Sequence, residues 1–177
     1  MSKFLRTTAV AATVAALAFT ATQAAAAPVS ATTDATATAR IIKPLTLAST
    51  QNLDLGTIVL TGSSAFTATV GIDLNGVYDC DGGSSTNVTC DSTSAQTAVY
   101  HITGTNGQDV TIAAAPVTMN GSNGGSLTLT PDFKSTITLS NSGGAGMDFN
   151  VGGSISVADT TTDGVYTGDF VVTAEYQ

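Results

Sequence analysis

The sequence predicts an all-β protein, a sandwich or barrel of short antiparallel strands. Three observations carry that expectation. Apolar residues recur with period two through most of the chain, as in Phe66, Ala68, Val70, Ile72 and Leu74. Clusters of Gly, Asn, Ser and Asp break these runs at fairly regular spacing. Only 10% of the residues are charged and Lys, Glu and Arg are scarce, which disfavours long helices. A Gly/Thr/Ser/Ala-rich composition by itself reads as disorder, and the alternating apolar runs argue against it.

Taken in order, Lys3 and Arg6 precede an uncharged stretch that ends in Ala24–Ala27. A basic start, an apolar middle and small residues before an A-x-A site describe a secretory signal peptide over residues 1–26. Cleavage is expected after Ala26, with Ala24 as the competing site; a membrane anchor is the rival reading. No later segment is apolar enough to span a bilayer, so no membrane insertion is expected after cleavage. Residues 27–39 are a low-complexity Ala/Thr segment, either a flexible leader or an extended strand in which Ala35, Ala37 and Ala39 alternate with threonines. Residues 40–177 form the expected β-domain. Ile41–Leu47 continues the extended pattern, with Pro44 favouring an edge or a bend.

Asn52–Ile58 reads as a short strand in which Gly56 permits a bulge or a close approach. Phe66–Leu74 is the clearest internal strand. Further runs follow at Ala98–Thr103, Val110–Ala114, Leu127–Leu129, Phe133–Leu139, Met147–Val151 and Ile155–Val157. The closing run is the most strongly patterned. Tyr166, Gly168, Phe170, Val172, Ala174 and Tyr176 fall on one face of an extended strand that reaches the chain end. A terminus patterned in this way is expected to be docked, since chain ends otherwise fray.

Loss of residues 1–26 removes two of the five cations and none of the thirteen acids, taking the formal charge from −8 to −10. Such a surface repels nucleic acid and anionic lipid, so neither is expected as a ligand. Cys80 and Cys90 are the only cysteines. In an exported protein they read as a disulfide that staples the tip of a hairpin rich in turn formers, the alternative being a metal site with no third soft ligand nearby.

The inventory of catalytic groups is thin, and no enzyme is expected. His101 is the single histidine, mid-strand, without a Ser or Asp at triad-like spacing. Asp73, Asp79, Asp81 and Asp91 flank the cysteine loop, but their order does not match an EF-hand and they read as solvated loop acids. Gly121–Gly125 and Gly143–Gly146 open no helix, so they make no phosphate cradle. Tyr78 and Tyr100 are expected to pack between strands. No catalytic, cofactor or metal residue is therefore assigned.

The segment Ala35–Leu47, followed by Asn52-Leu53-Asp54-Leu55-Gly56-Thr57-Ile58 and by the C-terminal block Gly164–Tyr176, resembles domain-of-unknown-function family 4402, a group of exported bacterial proteins. More distantly, the order of segments is similar to spore-coat-protein-U-like and other pilin subunits of chaperone–usher systems. Those carry a glycine fourteen residues from the end and a penultimate tyrosine, the places of Gly164 and Tyr176. The resemblance implies an immunoglobulin-like antiparallel β-sandwich of about eight to ten strands and a fimbrial role by strand complementation. A periplasmic chaperone, an usher and sister subunits would be the partners, and the cell surface the destination. Gly164, Tyr166, Phe170, Val172, Ala174 and Tyr176 would then pair with a partner strand, and Val29, Ala35, Ala37 and Ala39 would lie on the donor strand. A monomeric adhesin or ligand-binding module using the 75–97 loop is the alternative.

Overall fold

A computed structural model of the chain describes residues 28–30, 32–81, 86–141 and 145–177. The expected signal peptide, with its cleavage sites at Ala24 and Ala26, lies outside the described residues. Residues 1–39 and 40–177 form separate units. In the first unit, residues 28–30 and 32–39 are exposed and carry no strand. The described residues of the leader thus join no ladder of this chain; an Ala/Thr backbone gains a strand only where a ladder partner satisfies its amides.

The second unit is all-β and antiparallel, as expected. Thirteen strands are described, more than the eight to ten anticipated, because two- and three-residue strands are too short to show a period. The largest sheet runs in the order β1 (Thr46–Gln51), β6 (Ala98–Thr103), β11 (Met147–Ala158), β9 (Ser126–Asp132), β8 (Val117–Gly121), β12 (Tyr166–Thr167). Off this path, β3 (Thr67–Ile72) pairs with β11, and β4 (Tyr78–Cys80) pairs with β3. A second sheet has the order β10 (Thr136–Thr138), β7 (Asp109–Ala114), β13 (Val172–Tyr176). The third is the pair β2 (Thr57–Leu60) and β5 (Val88–Asp91).

β11 organises the whole unit. The sequence shows two runs, Met147–Val151 and Ile155–Val157; the structure joins them through Gly152 and Gly153 into one strand of 12 residues. Its first half pairs with β6, and its second half pairs with β3 on one side and β9 on the other. Odd-numbered side chains point inward throughout, so a single strand lines two cores in succession.

The first core is a sandwich. Tyr100, Ile102 and Val151 of the large sheet meet Val110, Ile112, Ile137 and Val172 of the second sheet. Tyr100 stacks on Phe149 at 5.7 Å between ring centroids and meets Phe170 edge-on at 6.4 Å. The second core gathers Leu55, Ala68, Val70, Ile72, Val88, Leu129, Ile155 and Val157, around which the strands curl as a half-barrel. Burying each Val, Leu or Ile side chain among these contributes about 1.5–3 kcal/mol.

Cys80 and Cys90 form the expected disulfide, with a Cα–Cα distance of 6.1 Å. Its role differs from a hairpin-tip staple. β4 pairs with β3 and β5 with β2, so the bridge joins the β2–β5 pair to the large sheet. Gly56 provides the close approach that the sequence suggested. Its φ is +73°, and a Cβ there would collide with the Asp91 carbonyl.

Candidate strand-docking grooves

The C-terminal block nominated from sequence is two strands instead of one. Tyr166 and Thr167 pair with Gly121 and Asn120 of β8, whereas Val172–Tyr176 pairs with Ala114–Val110 of β7. Between them the chain crosses from one sheet to the other. Gly168 makes the crossing tight, since a Cβ there would stand 2.8 Å from the Thr118 carbonyl oxygen. The inward face survives the crossing: Phe170, Val172, Ala174 and Tyr176 alternate with exposed Val171, Thr173 and Glu175. Phe170 packs against both cores.

Tyr176 fixes the end of the chain. Its hydroxyl donates to the Lys43 carbonyl at 2.8 Å and accepts from the Thr105 N–H at 2.8 Å, so it is fully used. A Cβ at Gly104 would occupy the space of that hydroxyl. Gln177 N–H donates to the Asp109 carbonyl at 3.1 Å. The terminus is docked as expected, against β7 of its own domain.

Two grooves border the block. The first, about 500 Å³, lies between Ile42–Leu45 and the outer edge of β13, where Ala174, Glu175 and Tyr176 form one wall. The second is larger, about 880 Å³. One wall is Leu53–Leu60, which includes β2; the other is the segment around Gly164, Tyr166 and Phe170, which includes β12. Its floor is apolar, with Met119, Leu129, Ile155 and Val157. β13, β12 and β2 are each end strands of their sheets, so each presents backbone groups that no ladder uses. Gly164 and Tyr166 thus serve the larger groove, Ala174 and Tyr176 the smaller, and Val172 belongs to the core.

Of the other candidates, His101 gains a partner that sequence spacing concealed. Its Nδ1 lies 2.6 Å from Asp148 Oδ1, directly across the β6–β11 ladder. The pair is partly exposed on the outer face and no nucleophile completes it among the described residues. Asp73 accepts the N–H groups of Val77 and Asn75 at 2.8 and 2.9 Å, and the Val77 bond above all holds its carboxyl below the usual range. Asp91 is lowered in the same way by the Thr93 hydroxyl and N–H. Both serve turns. Tyr78 donates its hydroxyl to the Leu55 carbonyl at 2.9 Å, and burial, with Asp54 and Asp91 nearby, raises its pKa. Among the described residues no three His, Cys, Asp or Glu side chains gather where a metal would sit, and no helix is long and apolar enough to cross a membrane.

A family model described as "Domain of unknown function (DUF4402)" matches residues 45–176. The chain belongs to the DUF4402 family. That match covers every strand of the second unit, both walls of the larger groove and, in the smaller groove, the β13 wall and Leu45. Comparison with curated proteins and with solved structures returns no match. The grooves therefore have to be read from their own chemistry: an apolar floor in the larger one, and an end strand of a sheet along a wall of each.

Proposed function

We propose that this DUF4402 protein is a non-enzymatic, exported surface protein, pilin-like in organisation, whose copies assemble by β-strand complementation. The observation that carries the reading is the pairing of open strand edges with apolar grooves. β2, β12 and β13 all end their sheets, and all border grooves. An extended segment laid beside such an edge satisfies its backbone N–H and C=O groups while its side chains fill the trough. The exposed leader supplies a segment of that kind, with its backbone free of any ladder at residues 32–39. A chaperone strand would occupy the same edge before assembly, and an usher would exchange it for the leader of a sister subunit.

The test is deletion of residues 27–39. The domain retains its strands, so the variant folds, keeps its disulfide and remains monomeric by size-exclusion chromatography while the parent chain forms multimers. Multimers of normal size from the deleted chain would overturn the reading.

A further inference from the structure

The second core is a ring with one open seam. Going round it, the ladders β12–β8, β8–β9, β9–β11, β11–β3 and β3–β4 follow without a break. The Cys80–Cys90 bridge then leads from β4 to β5, and β5 pairs with β2. β2 and β12 face each other across the 880 Å³ groove, each with a free edge. One further strand at that seam would complete the wall, which is the structural means by which barrels remove exposed edges.

We infer that the β2/β12 seam accepts residues 35–42 of a second copy of this chain, and that the β13 edge does not. The inference rests on the strand-complementation reading and names its acceptor and its donor. Three features of the molecule select that occupant. The first is charge: Asp54, Asp159 and Asp163 line the groove and no cation does. Among the described residues the positive side chains are Arg40, Lys43 and Lys134, and two of these stand at the end of the leader. The second is apolar exposure. Ile41 and Ile42 are 87% and 53% exposed at the root of the leader, while Val59 and Val165 are 50% and 70% exposed on the two groove walls. Burying Ile41 against Val59 and Val165 removes unfavourable surface from both partners at once, while Ile42 stays on the outward face with Arg40. The third is length and bulk. Leu53–Leu60 presents eight residues along one wall, and the eight residues Ala35–Ile42 extend about 26 Å when fully stretched. With Ile155, Leu129 and Met119 already forming the floor, the small side chains of Ala35, Ala37 and Ala39 suit an inward face that leaves Ile41 as the anchor. Arg40 would then point outward toward the acidic rim.

Hydrogen–deuterium exchange on the exported chain, comparing monomer and multimer fractions, decides the matter. The expected result is slowed exchange at Thr57–Leu60 and Tyr166–Thr167 in the multimer only. The variants Ala37→Asp and Ile41→Asp lie in exposed positions and leave the fold intact. They are expected to raise the concentration needed for assembly about tenfold or more, since each places a charge in an apolar trough. Arg40→Glu is expected to weaken assembly severalfold, with the difference shrinking at high salt. Protection confined to Val172–Tyr176 would overturn the seam assignment and leave strand complementation standing. Protection of β2 that is present in the monomer would overturn the second-copy assignment, since the leader would then fill its own groove. A chain that stays monomeric at every concentration, with no protection anywhere, would overturn both.

Discussion

The two cores of this domain solve the same problem to different degrees. The first, around Ile102, Ile112 and Val151, is closed by two sheets that face one another, and the C-terminal Tyr176 latches its end. The second, around Val70, Ile155 and Leu129, is a curled sheet closed on one side by a disulfide and left open on the other between β2 and β12. Side-chain packing therefore suffices for the first core. The second needs a covalent tie and still retains an apolar trough. A domain that leaves only one of its cores open concentrates its docking capacity there.

The contrast can be broken most forcefully from the closed side. Ile102 is fully buried, and Ile102→Ala should destabilise the domain by about 2–5 kcal/mol in urea unfolding. Leu60→Ala, on the wall of the groove, should cost less than half as much, because its side chain is only partly covered. Equal losses would mean that the groove is filled in solution.

Next in size is the tie itself. Replacing Cys80 and Cys90 by Ser should cost about 2–3 kcal/mol for so short a loop. The loss should be local, with amide protection falling at Thr57–Leu60 and holding at Val110–Ile112. A uniform loss would show that the two cores unfold as one.

Tyr176→Phe tests the latch. It removes the donor to the Lys43 carbonyl and the acceptor for the Thr105 N–H, and should cost about 1–2 kcal/mol. Faster exchange at Thr105 would accompany it. The smallest effect is electrostatic. The carboxyl of Asp73 is lowered in the folded state, chiefly by the Val77 N–H, so its stabilisation of the β3–β4 turn is present above the ordinary carboxyl value of 3.8. It is lost as the pH falls through the lower folded value. The Val77 amide shift should follow that titration, and Asp73→Asn should abolish it.

Much of the fold was legible because a half-buried strand writes its pattern directly into the chain. β3 shows Ala68, Val70 and Ile72 inward, and β13 shows Val172, Ala174 and Tyr176, each at the period the sequence displays. Gly56 announced a close backbone approach and makes one against Asp91. The grooves were less legible. Alternation reports which way a side chain points and carries no record of which strand lies alongside. For that reason Gly164–Tyr176 read as a single strand although it pairs first with β8 and then with β7. The cysteine loop read as a hairpin tip for the same reason: β4 pairs back onto the preceding β3, and β5 pairs with β2, far off in sequence, instead of β4 pairing with β5. His101 and Asp148, 47 residues apart, met only through the register of β6 on β11.

By itself, then, the sequence determined the class of the fold, the inward faces, the disulfide partners and the family. Those follow from local chemistry: side-chain period, turn residues and a lone cysteine pair. Only the tertiary structure decided that β11 serves two cores, that the disulfide joins sheets, and that β2 and β12 border an unfilled seam. Ladder partners are chosen by the balance of hydrogen bonding and burial over the whole domain, and no local segment encodes that balance.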